Sequence, residues 1–188
     1  CLVAGFHVPP LEGGSPLFSK AMKPRLKPGL HKLIGCLRRA QGLMVRPGNP
    51  LRLRSLADVA ALHARFINRQ AGSGTRVLLD YELSRNGLDP EQIRGYDQDE
   101  YTHMAVAVAV LSGKADTGLG IQSAANALGL DFVPLVEERY ALLIPGEYWD
   151  EPMIRAVREV IDTPLFRETV ERMGGYSTRD TGTVQPAA

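Results

Sequence analysis

Groups that could bind a small anion cluster in one segment of the sequence, between residues 65 and 80. An apolar, strand-like run leads into Asn68-Arg69-Gln70, a Gly72-Ser73-Gly74 turn follows, and an amphipathic helical pattern begins at Thr75. Glycines let a backbone approach a ligand closely, and the free amides at a helix start point outward. The hydroxyls of Ser73 and Thr75 and the positive charges of Arg69 and Arg76 complete a predicted anion site at a helix N-terminus.

A purely structural interpretation of this segment stays open. Gly-Ser-Gly-Thr is also a common tight turn between a strand and a helix, with a hydroxyl that caps the helix. The two flanking arginines and the polar end of the strand favour the anion site over that alternative. The segment is not a Walker A phosphate loop, because no Gly-Lys-Ser/Thr follows at the required spacing.

Two further segments carry groups that could contact the same ligand. Glu100-Tyr101-Thr102-His103 opens a second helical pattern, where a hydroxyl of Tyr101 or Thr102 and the imidazole of His103 could face an anion. The alternative is a local cap and a surface or core histidine. Gly118 and Gly120 flank the end of a short predicted strand, which fits either a close approach to a ligand or packing against a helix. Asp116 is expected to be a buried partner of backbone amides rather than a catalyst.

Groups that catalyse reactions are scarce in the sequence. It contains no nucleophile elbow with a Ser/His/Asp order, no HExxH motif and no carboxylate cluster with metal-ligand spacing. His103 has no second histidine nearby with which to share a metal ion. We therefore predict a binding domain without catalytic residues, a metal site or a cofactor.

Composition excludes several other functions. The 188 residues are 44% hydrophobic and 23% charged, as in ordinary globular domains, and 22 Lys and Arg against 21 Asp and Glu give a formal net charge of +1. So small a net charge provides no field for direct nucleic-acid binding. No apolar run approaches the roughly 18 residues of a membrane helix. Two cysteines, Cys1 and Cys36, are too few for a disulfide framework, and no signal peptide is recognised, so we expect a cytoplasmic protein.

Short strand-like runs alternate with helix-like runs, which is typical of an α/β fold with mostly parallel strands. The predicted strands are residues 2–8, 32–37, 42–46, 65–68, 115–120, 131–135 and 140–144. The predicted helices are residues 56–62, 75–86, 100–111, 123–128, 151–161 and 164–173. Ser55 and Thr163 are expected to cap helices, and Gly87 and Gly129 to end them. Residues 9–29 are predicted as a long loop, and the tail after Tyr176 as frayed.

Several motifs together resemble one known family. In chain order they are RAQGLMVRPGNP (39–50), NRQAGSGTR (68–76), EYTH (100–103), GKADTGLG (113–120), FVPLVEERY (132–140) and GGY (174–176). They resemble the substrate-binding-protein-like domain that is found fused to molybdopterin biosynthesis enzymes or behind helix-turn-helix regulators of the molybdate-responsive kind. The resemblance extends from about Leu2 to Gly182.

The resemblance implies the type 2 periplasmic-binding-protein fold, in which two α/β lobes with mainly parallel sheets are joined by two crossover strands. It assigns residues 1–52 and 136–188 to lobe 1, which is N-terminally incomplete, and residues 53–135 to lobe 2, which carries the anion-binding turn. The implied ligand is a tetrahedral oxyanion such as molybdate or tungstate. The implied partner is a fused or separate regulatory or molybdopterin-biosynthesis module.

The predicted function is therefore non-catalytic sensing of a small anion. The predicted ligand contacts are Arg69, Gln70, Ser73, Gly74, Thr75, Arg76, Tyr101, Thr102, His103 and Gly118 from lobe 2, with His7 and Arg39 from lobe 1. Two alternatives stay open. One is a group-transfer enzyme on the same fold that holds a phosphate at the Gly-Ser-Gly turn, and the other is an interaction domain whose pocket has lost its ligand.

Overall fold

The computed structural model describes residues 2–8 and 30–186. Residues 9–29, predicted as a long loop, lie outside the described residues. The chain forms two compact units: unit 1 combines the residues up to Arg39 with those from Glu137 onward, and unit 2 is Ala40–Val136. Two long strands, β2 (His31–Val45) and β6 (Asp131–Pro145), have residues in both units. They are the two crossover strands that the resemblance implies.

Unit 2 is built on a sheet in which β5 (Thr117–Ile121) lies between the end of β2 and β3 (Phe66–Arg69). β3 pairs in parallel with β5 and with the short β4 (Asp99–Glu100), whereas β2 is antiparallel to β5. The helices of this unit are α1 (Leu56–Ala61), α2 (Gly74–Arg85), α3 (His103–Leu111) and α4 (Gln122–Ala127).

The helices of unit 2 cover both faces of its sheet. Side chains alternate between the two faces of a strand, so Leu43 and Val45 of β2 pack with buried residues of α1 and α2, such as Val59 and Leu79. The side chain between them, Met44, packs with α3 and α4. The apolar positions of strands and helices therefore form one core on each face of the sheet.

Unit 1 contains mainly antiparallel ladders. β1 (Ala4–Val8) pairs with the second half of β6, and the first half of β2 pairs with β7 (Tyr176–Ser177) and β8 (Val184–Pro186). Two helices, α5 (Pro152–Asp162) and α6 (Pro164–Arg172), complete the unit. Its core joins Ile34 and Ile144 of the long strands to Ile154 and Ile161 of α5. The expected parallel pairing is thus found for β3 and its two neighbours in unit 2.

Local sequence signals place the helices accurately. All six predicted helices are present, with ends shifted by at most three residues. Ser55 and Thr163 cap α1 and α6 by accepting hydrogen bonds from the amides of Asp58 and Phe166. Gly87 and Gly129, which follow α2 and α4, each have a φ of 65°. The predicted caps and glycine stops are therefore confirmed. None of the helices among the described residues is long and apolar enough to cross a membrane.

The predicted breaks in the two long strands are wrong. Residues 32–37 and 42–46 belong to the single strand β2, and residues 131–135 and 140–144 belong to β6. Consecutive charged residues lie at both predicted breaks, but Arg38 pairs with Glu137 at 2.9 Å and Arg39 pairs with Glu138. The units divide after Arg39 and after Val136, whereas the predicted lobes divide after residues 52 and 135, because residues 41–45 of β2 pair with β5 in unit 2.

The expectation of a frayed tail after Tyr176 is also wrong for residues 177–186, the part of the tail that the structure describes. Thr181 is only 6% exposed, and its hydroxyl donates a hydrogen bond of 2.6 Å to the carbonyl oxygen of Cys36. The amide of Gly182 donates to the carbonyl of Gly35, and the amide of Gly35 donates to Thr183. The Thr181 hydroxyl and backbone amides therefore hold this polar segment against β2.

Candidate anion site

Three helices of unit 2 begin at one edge of its sheet. β3, β4 and β5 run in the same direction, so their carboxyl ends lie at the same edge. α2 begins after β3, α3 directly after β4, and α4 directly after β5. Ligands of α/β proteins bind at this edge, where helix N-termini and loop residues converge.

The start of α2 has the geometry of a capped and open helix N-terminus. Ser73 is the N-cap, and its hydroxyl oxygen accepts a 3.2 Å hydrogen bond from the amide of Arg76. Gly72, just before it, has a φ of 84°, a conformation that side chains disfavour. Gly74 is the exposed first residue of the helix. The amides of Arg76 and Val77 both donate to Ser73, one to its hydroxyl and the other to its carbonyl oxygen. The amides of Gly74 and Thr75 have no acceptor within the helix, because no residue precedes them at the required spacing.

Thr75 lies on the inner side of this first turn. It is 3% exposed and shares the buried side of α2 with Leu78 and Leu79. Thr75 is thus a buried polar residue in the first turn of α2. Ser73, Gly74 and Thr75, all predicted as ligand contacts, occur together at the start of α2.

Arg69 joins the end of β3 to the connection between β4 and α3. Its Nε donates hydrogen bonds to the carbonyl of Glu100 at 3.2 Å and to Oε1 of Gln70 at 3.1 Å, and its Nη2 donates to the carbonyl of Tyr101 at 3.0 Å. The amide of Gln70 also donates to the carbonyl of Glu100. Arg69 and Gln70 therefore hold the segments before α2 and α3 side by side.

Arg76 is held by two side chains further along α2 and in the following loop. Its Nε donates to Oδ1 of Asp80 at 3.0 Å, and its guanidinium lies 4.0 Å from the centre of the Tyr96 ring. Burial acts to lower the pKa of Arg76, but its interactions with Tyr96 and Asp80 outweigh burial and raise that pKa. Burial and the hydrogen bond to Asp80 raise the pKa of Tyr96. Because both pKa values are raised, Arg76 is a cation and Tyr96 a neutral phenol at neutral pH.

The start of α3 is also capped by a hydroxyl. Thr102 is the N-cap and accepts a 3.0 Å hydrogen bond from the amide of Ala105, while Tyr101 is 73% exposed. His103, the first helical residue, is half-buried beside β5: a Cβ at Gly120 would lie 3.5 Å from its Nδ1. The imidazole therefore lies close to the carboxyl end of β5.

Gly118 serves packing within unit 2. A Cβ at this position would lie 2.5 Å from Cγ1 of Val106 in α3 and 2.6 Å from the carbonyl oxygen of Ile67 in β3. The structure supports the packing alternative for this glycine, because it is buried between the neighbouring strand and α3. Asp116, just before β5, accepts a 2.9 Å hydrogen bond from the amide of Arg65, which confirms its predicted role.

The two predicted contacts from lobe 1 belong to unit 1. Arg39 forms an ion pair with Glu138, a carboxylate that is 2% exposed. His7 stands opposite Tyr140 in the ladder between β1 and β6, and its side chain lies outside the description. Unit 2 therefore contains the other ten predicted contacts, and nine of them, all except Gly118, lie in the segments at the starts of α2 and α3.

The predictions from sequence omit three residues of this region: Asp80, Tyr96 and Gln41. The spacing of Arg76 and Asp80 by four positions on a helix was a readable signal for their ion pair. No sequence pattern indicates that Tyr96 belongs to this region, because it lies in an irregular loop. Gln41 is fully buried and stands opposite Ile121, the last residue of β5, so it lies at the same edge of the sheet. Among residues 2–8 and 30–186, no group of three His, Cys, Asp or Glu could hold a metal ion.

Comparison with known proteins assigns the family. Residues 1–162 match the model of the PBP superfamily domain. The chain belongs to this PBP-like family. It is 37% identical over 152 residues to the uncharacterized protein YvgK of Bacillus subtilis (strain 168), and this match covers 81% of the chain and 49% of YvgK. The PBP-like chain thus spans about half the length of that relative.

Solved structures similar to this PBP-like chain include two binding domains. One is the regulatory domain of Synechocystis PCC6803 CcmR in complex with 2-PG, with a TM-score of 0.58, 15% identity, and coverage of 85% of this chain and 71% of that one. The other is the substrate binding domain of a putative molybdenum ABC transporter from Clostridium difficile, with a TM-score of 0.57, 14% identity, and coverage of 87% and 73%. At such identities the likeness shows the fold, which is the type 2 periplasmic-binding-protein-like α/β fold.

Proposed function

We propose that this PBP-like domain binds a small oxyanion at the start of α2 and carries out no chemistry on it. The observation that carries the proposal is the first turn of α2, where the open amides, the Ser73 hydroxyl and the 3% exposed Thr75 stand at the carboxyl edge of parallel strands. The positive end of the helix dipole adds attraction for an anion without a paired cation. Thr102 and His103, at the start of α3, supply a second set of donors.

We propose molybdate or tungstate as the ligand. The sequence motifs that resemble molybdate-linked domains support this choice, and one neighbouring structure is titled a domain of a putative molybdenum transporter. Donors of the kind found at the start of α2, namely amides and hydroxyls, suit a fully deprotonated oxyanion, which only accepts hydrogen bonds. No metal ligand set is needed for such recognition.

The proposed role is to report the anion to another module in the cytoplasm. YvgK is about twice as long as the segment that matches this chain, which fits a domain that works beside a regulatory or molybdopterin-biosynthesis module. A ligand can drive such a report only if it binds one conformation better than another. The regulatory domain of CcmR in complex with 2-PG, a structural neighbour, is named for a task of that kind.

Thermal unfolding with molybdate, tungstate, sulfate and inorganic phosphate tests the proposal. A ligand at a hundred times its dissociation constant stabilises by about 2.7 kcal/mol. We expect a shift with molybdate and tungstate that is lost when Ser73→Ala is combined with Thr75→Val. Ser55→Ala is the matched control, because Ser55 caps α1 in the way that Ser73 caps α2. The Ser55→Ala variant loses the cap of α1 but should keep the thermal shift with molybdate and tungstate.

The alternatives have distinct outcomes in the same experiment. The absence of a shift with every anion would refute the proposal and support an interaction domain, for which α3 offers exposed apolar side chains at Met104, Val108 and Leu111. An equal shift in the wild type and in the Ser73→Ala/Thr75→Val variant would place the anion elsewhere. Turnover of a phosphorylated substrate would support the group-transfer enzyme.

A further inference from the structure

Arg76 is the cation nearest in sequence to the start of α2, yet its guanidinium is held further along the helix. The amide of Arg76 donates to the N-cap hydroxyl of Ser73, so its backbone belongs to the first turn. Its Nε, however, donates to Oδ1 of Asp80, one helical turn later, at 3.0 Å. The side chain is only 17% exposed. Arg76 is therefore a charged group beside the proposed site whose charge is already paired.

Tyr96 completes this arrangement from outside the helix. Its hydroxyl donates a 2.6 Å hydrogen bond to the same Oδ1 of Asp80, and its ring lies 4.0 Å from the guanidinium carbon of Arg76. The carbonyl oxygen of Tyr96 accepts a 2.9 Å hydrogen bond from Nδ2 of Asn68, near the end of β3. Asn68 is itself 1% exposed, so Tyr96 is anchored to the sheet at the edge where α2 starts.

We propose that Asp80 and Tyr96 are specificity-determining residues of the anion site, because they hold the charge of Arg76 away from the start of α2. This inference rests on the proposed function. With Arg76 withheld, the donors at the start of α2 are neutral amides and hydroxyls, whose fixed directions distinguish one oxyanion from another. A released guanidinium would attract every anion, with the salt dependence of an exposed charge. Asp80 and Tyr96 thus lower the affinity of the site for anions in general and raise its selectivity among them.

Asp80→Asn tests the inference, since it removes the charge of the carboxylate with little change in shape. We expect it to tighten the binding of molybdate, sulfate and phosphate by about threefold to fivefold at low salt, the size of one screened ion contact. The gain should vanish at high salt, and the preference for molybdate over phosphate should fall. Tyr96→Phe, which keeps the ring and loses the hydrogen bond, should give a smaller change in the same direction.

Two further variants separate the release of Arg76 from a general loss of negative charge. Asp97→Asn makes the same change of charge at an exposed residue beside Tyr96, and it should leave the dissociation constants within about twofold of the wild type. Asp80→Asn combined with Arg76→Gln should lose the gain of affinity, because no guanidinium is left to release. Calorimetric titrations with the three anions at two salt concentrations measure all these effects.

A second readout follows Arg76 itself and needs no ligand. Phenylglyoxal modifies accessible guanidinium groups, and peptide mass spectrometry gives the rate at Arg76. We expect a rate several times higher in Asp80→Asn than in the wild type or Asp97→Asn. Equal rates and equal affinities in the two Asp→Asn variants would overturn the inference alone. If Arg76 is released but neither the wild type nor any variant binds an anion, the proposed function fails and the specificity role fails with it.

Discussion

Arg65 and Asp116 form a two-point ion pair at the amino ends of β3 and β5. Nε of Arg65 lies 3.0 Å from Oδ2 of Asp116, and Nη2 lies 2.6 Å from Oδ1. The amide of Arg65 donates to the same carboxylate at 2.9 Å. One side chain thus fixes the starts of two neighbouring parallel strands, at the edge opposite to the proposed anion site.

Replacing Asp116 should therefore cost stability in a pH-dependent way. The hydrogen bond from the Arg65 side chain is the main cause that lowers the pKa of Asp116, with the Arg65 amide and the nearby charges adding to it against the effect of burial. A carboxylate with a lowered pKa stabilises the fold above its unfolded pKa and loses this effect as the pH falls through its folded pKa. We expect Asp116→Asn to lower the free energy of unfolding by about 1–2 kcal/mol at pH 7, since Arg65 is partly exposed and screened.

Urea unfolding of the wild type and Asp116→Asn at pH 7 and at a pH near 3 measures this prediction. The difference between the two proteins should shrink at the lower pH, where the wild-type carboxylate begins to take up a proton. Asp97→Asn, at an exposed carboxylate, should unfold like the wild type at both pH values. A difference that grows on acidification would contradict the assignment of the ion pair.

The two glycines of β5 should differ in their tolerance of alanine. A Cβ at Gly118 meets a main-chain oxygen, that of Ile67, at 2.6 Å, whereas a Cβ at Gly120 meets the flexible end of Met44 at 2.5 Å. A main-chain atom cannot move aside without shifting β3, but a methionine side chain can adopt another rotamer. We expect Gly118→Ala to cost about 1–3 kcal/mol of stability, as overpacking does, and Gly120→Ala to cost less.

Thermal and urea unfolding of the two variants decide between packing and ligand contact at Gly118. If Gly118 served only a ligand, its alanine variant would fold with wild-type stability and lose anion binding. Gly120→Ala is the matched control, because it lies on the same strand and adds the same methyl group. Equal stability of the two alanine variants would contradict the packing role of Gly118.

Helix starts and stops were predictable from sequence because they are set by local chemistry. Ser55, Ser73, Thr102 and Thr163 each cap a helix with their own hydroxyl, and the signal lies within three residues of the cap. The family motifs likewise gave the fold, since the order of helices and strands in the chain is that of a type 2 binding protein.

Long-range pairing was not readable in the same way. Arg38 and Arg39 look like the end of a strand until Glu137, Glu138 and Asp180, about a hundred or more residues later, are known to neutralise them. The same holds for the site. Ser73 and Thr75 could be predicted as ligand contacts from their spacing, but the contact of Arg76 with Tyr96 depends on a loop twenty residues away whose position the sequence does not encode locally.

The polar tail should contribute measurably to the stability of unit 1. Thr181 donates to the carbonyl of Cys36 at 2.6 Å in a buried position, so Thr181→Val leaves that carbonyl without its donor. We expect a loss of about 1–2 kcal/mol in the free energy of unfolding. Thr183→Val is the control, because Thr183 makes a hydrogen bond of the same length to Asp180 but is exposed, and water can replace it. If both variants unfold like the wild type, the tail is not held as the structure shows.

The ion pair of Arg39 and Glu138 offers a test of whether Arg39 is structural. Glu138 is 2% exposed, and Arg39 donates its Nε hydrogen to this carboxylate. Removing one partner of a buried pair leaves the other charge uncompensated, whereas replacing both by apolar residues is often neutral. We expect Arg39→Met alone to lower the free energy of unfolding by about 3 kcal/mol or more, and the addition of Glu138→Leu to restore most of it. Urea unfolding measures this cycle. Anion binding by the double variant then decides the predicted ligand contact of Arg39: retained affinity excludes it, and lost affinity in a stable protein supports it.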